Sequence, residues 1–79
     1  MRLLQTAFLM ERYGLRLTLD QVAEVLGMSV GAVRNQISKR TFPIPTYSDQ
    51  GRRWADAQDV AEYVDQCRQR AKAGEGAPA

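Results

Sequence analysis

The sequence predicts a mainly α-helical fold with one small β-hairpin. Three features predict it: helix-type apolar spacing in several stretches, two short helices that meet at a glycine within residues 18–40, and an extended segment with a glycine turn within residues 42–55. A length of 79 residues suits one domain. We therefore expect a single domain over residues 1–72 and a disordered tail over residues 73–79, which lack any apolar pattern.

The first element is expected to be a helix over residues 1–13 that ends at Gly14. Its apolar side chains form one broad stripe that would cover the core: Leu3, Leu4, Ala7, Phe8 and Met10. Leu9 falls off this stripe and would be exposed. The alternative is that this helix provides a surface for self-association, and an exposed Leu9 would favour that alternative.

Residues 18–40 predict two short helices joined by a tight turn. Thr18 and Gln21 have the spacing of a capping box at the start of the first helix. Gly27 follows the last apolar residue of that helix, where a left-handed residue commonly ends a helix. Ser29 is then suited to cap the second helix. These features together predict a helix-turn-helix.

The spacing within this pair of helices is typical of DNA-binding proteins. Ala23 is small where the helices would cross, and Val33 would anchor the second helix to the first. With the glycine between them, this order resembles the helix-turn-helix of bacterial repressors. Those proteins usually place another core residue three positions after the valine, where this chain has the polar Gln36. Ile37 takes that role, which favours a winged form; an ordinary helical hairpin without a ligand is the alternative.

The outer side of the second helix carries the candidate base-contacting residues. Opposite Val33, at 3.6 residues per turn, lie Gly31, Arg34, Asn35 and Ser38, with Lys39 at the border. Arginine and asparagine pair bidentately with guanine and adenine edges in the major groove. A glycine lets the backbone approach a partner closely. The alternative is a solvated helix face.

Residues 42–55 are expected to form a short β-hairpin, or wing. Two prolines at alternate positions force an extended chain, and residues 49–51 suit a three-residue loop with glycine at the position of positive φ. Arg52 and Arg53 follow the tip, where they could contact phosphates or the minor groove. Alternatively, they only solubilise an exposed edge. We expect Trp54 in the core.

The last element is expected to be a helix over residues 56–72 with Asp56 as its cap. Its predicted inner face consists of Val60, Val64 and Cys67, and Tyr63 is a further candidate for this face.

The charge of the chain is unevenly distributed, although its formal net charge is only +2. Residues 29–54 contain five basic side chains and one acidic side chain, whereas residues 55–65 contain four acidic side chains and no basic one. A basic helix followed by a basic loop suits a surface that faces phosphates. Arg12 and Arg16 could also contact phosphates, or could be solvated charges.

Several kinds of site are excluded by residues that the sequence lacks. Without histidine, and with one cysteine, the chain has no histidine base, no intrachain disulfide and no thiolate zinc site. No glycine-rich phosphate loop is present. The sequence therefore predicts neither an enzyme nor a bound metal or cofactor. The apolar runs are too short to cross a membrane, and no signal peptide is evident, so we expect a cytoplasmic protein.

The segments LTLDQVAEVLGMSVGAVRNQISKRTFPIP, GRRW and DVAEYV resemble the small excisionases and AlpA-type prophage regulators, which belong to the MerR-like winged helix-turn-helix group. The similarity covers about residues 17–65. It implies a second helix in the major groove and a wing in the adjacent minor groove. The contacts that it implies are Gly31, Arg34, Asn35 and Ser38 at the bases, Lys39 or Arg40 at the backbone, and Arg52 and Arg53 in the wing.

This resemblance also implies a function. We expect a sequence-specific DNA-binding excisionase of a prophage or other mobile element, which binds and bends attachment-site DNA to assist a phage integrase and also regulates transcription in some members. The expected partners are double-stranded DNA, an integrase and further copies of the chain on DNA. One alternative is a transcriptional regulator without a role in recombination. Another is a protein–protein adaptor that does not bind DNA, against which the basic wing argues.

Overall fold

The structure, a computed structural model, describes residues 2–74 and is mostly helical with a small antiparallel sheet. Its elements in chain order are α1 (Arg2–Tyr13), β1 (Arg16–Thr18), α2 (Leu19–Leu26), α3 (Val30–Ser38), β2 (Tyr47–Asp49), β3 (Arg52–Asp56) and α4 (Ala57–Lys72). None of the helices described over residues 2–74 combines the length and apolar character needed to cross a membrane.

The end of α4 is followed by two described residues of the expected tail. Ala73 keeps helical backbone angles as the C-cap, and Gly74 takes a left-handed conformation with a φ of 85°. These two residues are the C-cap of α4 and the turn that follows it. The rest of the expected tail, residues 75–79, lies outside the described residues.

The sheet has three strands in the order β1-β3-β2, and both pairings are antiparallel. Sequence analysis predicts the β2–β3 hairpin but not β1, which pairs Leu17 with Ala55. Leu17 and Ala55 are both fully buried. Alternation of apolar and polar residues around Leu17 is the only local signal of this strand. Three residues are too few for that pattern to predict a strand. The hydrogen bonds that form β1 come from β3, which lies far from it along the chain.

The predicted caps of α2 and α3 are confirmed. The Thr18 hydroxyl accepts from the Gln21 backbone N–H at 3.2 Å, and the Thr18 backbone N–H donates to Gln21 Oε1 at 3.0 Å. Gly27 ends α2 in a left-handed conformation with a φ of 71°. The Ser29 hydroxyl accepts from the Ala32 backbone N–H at 3.1 Å and starts α3. The tight turn between the two helices therefore follows from local residue chemistry.

The core consists of two clusters joined by one side chain. The larger cluster surrounds Leu17, Val22 and Val60 between the sheet, α1, α2 and α4. The smaller one holds α3 to α2 through Ala23 and Val33, as predicted. Phe42, in the segment after α3, packs against both clusters. This segment therefore ties α3 to the body of the molecule as well as to α2.

The packing of α1 is the reverse of the prediction. Leu9, expected to be exposed, is buried in the larger cluster, and Thr6 is also buried. Leu3 is 80% exposed, and Leu4 and Phe8 are each 66% exposed. Sequence spacing found an apolar stripe, but it could not show which face of the helix meets α4 and β1, because this helix is apolar on more than one side.

Two expectations for α4 also need correction. Asp56 is the N-cap by backbone position, but its side chain makes no capping hydrogen bond and instead accepts from the Tyr47 hydroxyl at 2.9 Å. The buried residues of α4 are Ala57, Val60 and Ala61. Of the residues predicted for the inner face, Val60 is buried, whereas Tyr63, Val64 and Cys67 are only half-buried. The two alanines are buried because other elements approach α4 closely there.

The left-handed turn at Gly27 gives a test of this fold. Gly27→Ala should lower the free energy of unfolding by about 1–2 kcal/mol, since an L side chain is strained at positive φ. No atom lies within 4 Å of the added Cβ, so the cost is one of backbone conformation. Gly31→Ala is the matched control: its Cβ meets only Ser29 Oγ at 3.9 Å, and it should raise that free energy by at most about 0.5 kcal/mol, because Gly31 lies in the first turn of α3. Urea unfolding measures both; a loss of stability in the control, or a gain at Gly27, would contradict the backbone described above.

Candidate nucleic-acid interface

Helix α3 presents its predicted outer face to solvent. Val33 is fully buried against α2, which turns the opposite side of the helix outward. The candidate residues on that side are all exposed: Gly31, Arg34, Asn35, Ser38, Lys39 and Arg40. Within residues 2–74, no ion pair holds Arg34, Lys39 or Arg40. Their charges are therefore available to a ligand.

Helix α3 ends at a strained residue. The Arg40 N–H donates to the Ile37 carbonyl at 3.0 Å, and the Thr41 N–H donates to the Gln36 carbonyl at 2.9 Å. This is the hydrogen-bond pattern of a Schellman motif, in which the left-handed position is usually glycine. Arg40 occupies that position with a φ of 59°, at a cost of roughly 1–2 kcal/mol. The chain thus keeps a cation where the local backbone favours glycine.

The tip of the β2–β3 hairpin is tighter than predicted. Asp49 is not part of the loop, because it pairs with Arg52 in the sheet. The loop consists of Gln50 and Gly51, whose φ angles are 53° and 77°. Two positive φ angles at the centre of a two-residue loop define the turn whose twist matches that of paired strands. The turn therefore fixes the positions of Arg52 and Arg53, which follow it in β3.

One open cavity of about 290 Å³ brings the outer face of α3 and the hairpin together. Arg34 lines it from α3, and Arg52 and Arg53 line it from the hairpin. The start of α2 closes the third side, and its Asp20 is the one acidic residue of the lining. The structure thus places three of the predicted site residues around the same opening. The other five are exposed but do not line this cavity.

The two hairpin arginines are not equivalent. Successive side chains of a strand point to opposite faces of the sheet, so Arg53 shares its face with the buried Ala55 and Arg52 shares its face with Trp54. Arg53 is half-buried, and its Nη1 donates to Thr46 Oγ1 at 2.9 Å. Arg52 is exposed, with its guanidinium carbon 5.9 Å from the Trp54 ring centre. Arg53 is therefore held in place, whereas Arg52 is free to adjust.

Trp54 is not in the core, contrary to the prediction. It is half-buried, and its indole N–H donates to the Asp49 carbonyl at 3.3 Å. The Arg16 guanidinium stacks on the ring, with its carbon 4.1 Å from the ring centre, and its Nη1 donates to Asp49 Oδ2 at 2.9 Å. The ring lies on the outer face of the sheet because its strand neighbour Ala55 takes the inner face.

Arg16 is the residue that sequence analysis left undecided, and the structure gives it a position beside the hairpin. It comes from β1 and contacts side chains of both other strands, Trp54 of β3 and Asp49 of β2. Hydrogen bonding to Tyr47 and to Asp49 raises the pKa of the Arg16 guanidinium above its ordinary value. Arginine is charged at physiological pH in any environment, and these contacts favour the charged form of Arg16 further. Assigning a strand to residues 16–18 from the sequence would have placed the Arg16 side chain next to Trp54.

The acidic side chains of α4 lie away from the cavity at α3. No group of three or more histidine, cysteine, aspartate or glutamate side chains is arranged to hold a metal ion among residues 2–74. The acidic side chains of α4 lie close together, and burial, followed by repulsion from Asp56 and Glu62, raises the pKa of Asp59. This acidic group belongs to the start of α4 and not to the cavity at α3.

The stack of Arg16 on Trp54 can be tested through the tryptophan, which is the only one in the chain. Arg16→Lys keeps the charge but loses the planar guanidinium that stacks and forms directed hydrogen bonds. We expect stronger acrylamide quenching of Trp54 fluorescence and faster amide exchange in β2 and β3. Arg12→Lys is the matched control, because the Arg12 guanidinium stacks on Tyr13 at 5.2 Å and not on Trp54. Equal quenching in the wild type and Arg16→Lys would show that the stack does not restrain the hairpin.

Comparison with known proteins yields no relative: no family model, no curated protein and no solved structure matches the chain. The similarity to excisionases and AlpA-type regulators therefore stays a prediction from the residues themselves.

Proposed function

We propose that this protein is a sequence-specific DNA-binding factor with a winged helix-turn-helix fold, acting as an excisionase of a prophage or other mobile element. In this proposal α2 and α3 are the helix-turn-helix, and the β2–β3 hairpin is the wing. The observation that carries it is the shared cavity, since Arg34 of α3 and the hairpin arginines Arg52 and Arg53 line one opening. Such a factor would act on DNA in the cytoplasm.

The dimensions of the elements suit two adjacent grooves of DNA. An α-helix with its side chains is about 10–12 Å wide, and the major groove of B-DNA is about 12 Å wide. With α3 in that groove, Arg34 and Asn35 reach base edges from its exposed face. A hairpin beside the helix then lies over the neighbouring phosphates and minor groove. The three arginines around the cavity suit the phosphates between the two grooves.

The position of Gly31 suits a close approach between the α3 backbone and DNA. Its Cβ would meet no atom nearer than Ser29 Oγ at 3.9 Å, so packing within the protein does not require glycine here. Glycine also destabilises a helix relative to alanine. Its position on the exposed face of α3, four residues before Asn35, suits a backbone that lies against DNA.

The DNA-binding proposal predicts different effects at α3 and at the hairpin. Arg34→Ala or Asn35→Ala should cost about 1–3 kcal/mol on the cognate site and relax the preference for one base, because these side chains read base edges. Arg52→Ala or Arg53→Ala should weaken all duplexes alike and reduce the salt slope of binding by about one each, because these side chains contact phosphates. Fluorescence anisotropy on cognate and unrelated duplexes, over a salt series, measures both.

Arg68→Ala is the matched control for these variants, because Arg68 is an exposed arginine of α4 that does not line the cavity. It should leave affinity and specificity nearly unchanged. If Arg34→Ala lowered only the non-specific affinity, α3 would not be the base-reading helix. If no duplex bound at low salt, the adaptor alternative would replace the proposal.

The role in recombination needs a separate experiment. With the cognate integrase and a plasmid carrying both hybrid attachment sites, adding this protein should increase excision product, and the Arg34→Ala variant should not. The same binding face would serve a transcriptional regulator. Unchanged excision together with an altered rate of transcription from a neighbouring promoter would therefore reject the excisionase assignment and retain the regulator.

A further inference from the structure

One arginine of the cavity is restrained by a hydrogen bond from a residue that lies outside the cavity. Arg53 Nη1 donates to Thr46 Oγ1 at 2.9 Å, and both residues are half-buried. Within residues 2–74, Arg53 is the only one of the three cavity arginines whose side chain donates a hydrogen bond. Thr46 does not line the cavity itself. Thr46 thus holds a residue of the cavity wall without belonging to that wall.

The position of Thr46 is set by the segment that follows α3. Phe42 packs against both core clusters, and Ile44 is 3% exposed in the larger cluster. Pro43 and Pro45 have a fixed φ, which leaves the chain around Ile44 few conformations. Thr46 follows directly, and β2 begins at the next residue. The Thr46 hydroxyl is therefore fixed relative to the core that also holds α3.

The acceptor that holds Arg53 carries no charge. Arg16, the other arginine beside the hairpin, is held by a carboxylate instead, with its Nη1 2.9 Å from Asp49 Oδ2. A carboxylate orients a guanidinium and neutralises it, whereas a hydroxyl orients it and leaves its charge unpaired. Within residues 2–74, no ion pair holds Arg53. Its other N–H donors and its full charge therefore stay available to an anionic ligand.

We propose that Thr46 is a positioning residue for DNA binding, which fixes the Arg53 guanidinium where it binds a phosphate. This inference rests on the proposed function, because it assigns a role within the same interface. An unrestrained arginine loses rotamer freedom when it binds, and this loss weakens binding. The Thr46 hydroxyl imposes that restraint before DNA is bound. Arg53 therefore binds a phosphate at a lower entropic cost than the exposed Arg52.

The same hydrogen bond connects the hairpin to the helix that reads bases. Phe42 holds both α3 and the segment that ends at Thr46. The hydrogen bond from Arg53 to Thr46 extends this connection to β3. Phosphate contacts fix the register of a protein on the duplex. Since phosphates are common to all duplexes, loss of this hydrogen bond should weaken binding to cognate and unrelated DNA alike.

Thr46→Val tests the proposal, because it removes the acceptor and keeps a side chain of similar shape. It should weaken binding to every duplex by about two- to tenfold, since Arg53 must then be ordered on binding. The salt slope should stay that of the wild type, because the number of charges is unchanged. Thr46→Ser keeps the hydroxyl and should restore nearly the wild-type affinity. Fluorescence anisotropy over a salt series measures these effects.

A double variant separates positioning from general damage to the hairpin. In a chain that carries Arg53→Ala, adding Thr46→Val should cause no further loss of affinity, because the donor is already absent. Ser48→Ala is the matched control and should bind like the wild type. Ser48 is exposed and lies opposite Arg53 in the ladder, and no hydrogen bond among residues 2–74 uses its side chain. An equal loss from Thr46→Val with and without Arg53 would overturn the proposal.

Side-chain NMR of the free protein gives a readout that does not need DNA. The order parameter of the Arg53 Nε–H should fall in Thr46→Val and stay high in Thr46→Ser, whereas that of Arg52 should not change. Circular dichroism verifies folding, and Thr46→Ala replaces Thr46→Val if the valine variant is unfolded.

The outcomes distinguish this inference from the proposed function. If the wild type binds no duplex, the DNA-binding proposal fails and this inference fails with it. If the wild type binds duplex DNA but Thr46→Val binds equally well, or leaves the Arg53 side chain equally ordered, only this inference fails.

Discussion

The constraint on which the structure depends is the position of β3 between β1 and β2. Its pairing with β1 buries Leu17 against Ala55 and connects the segment before α2 to the strand before α4. Its pairing with β2 forms the hairpin that carries Arg52 and Arg53. One strand therefore holds the hairpin to the helical body. Without β1, the hairpin would keep only the packing of Ala55 in the larger core cluster, and its orientation would be less well defined.

The candidate interface depends on two separate attachments. Helix α3 is held by α2 through Ala23 and Val33, and by Phe42 in the segment that follows it. The hairpin is held by the sheet and by the stack of Arg16 on Trp54. Helix α2 follows β1 directly, since Thr18 is both the last residue of the strand and the N-cap of the helix. The helix that holds α3 and the strand that holds the hairpin are therefore joined at Thr18. Arg34 and the hairpin arginines consequently come together although they are far apart in the chain.

The two surfaces of the molecule differ in their physical character. The side formed by α3 and the hairpin is polar, and within residues 2–74 no ion pair holds its Arg34, Arg52 or Arg53, which suits an anionic ligand. The side formed by α1, α2 and α4 is apolar, which suits burial against another apolar surface.

The sequence by itself determined the features that depend on neighbouring residues. The capping box of Thr18 and Gln21, the left-handed Gly27 and the exposed face of α3 all follow from side chains within a few positions of one another. The β2–β3 hairpin was predicted for the same reason, although its loop is one residue shorter than expected, because cross-strand pairing includes Asp49 in the ladder.

Tertiary structure alone decided the features that depend on distant partners. Strand β1 exists because β3 supplies its hydrogen bonds, and Trp54 lies on the outer face of the sheet because Ala55 takes the inner one. Helix α1 has two apolar sides, and only the surface of α4 and β1 selects which of them is buried. Periodicity shows that a helix has an apolar face, but the free energy of burying that face depends on the partner surface, which local sequence does not contain.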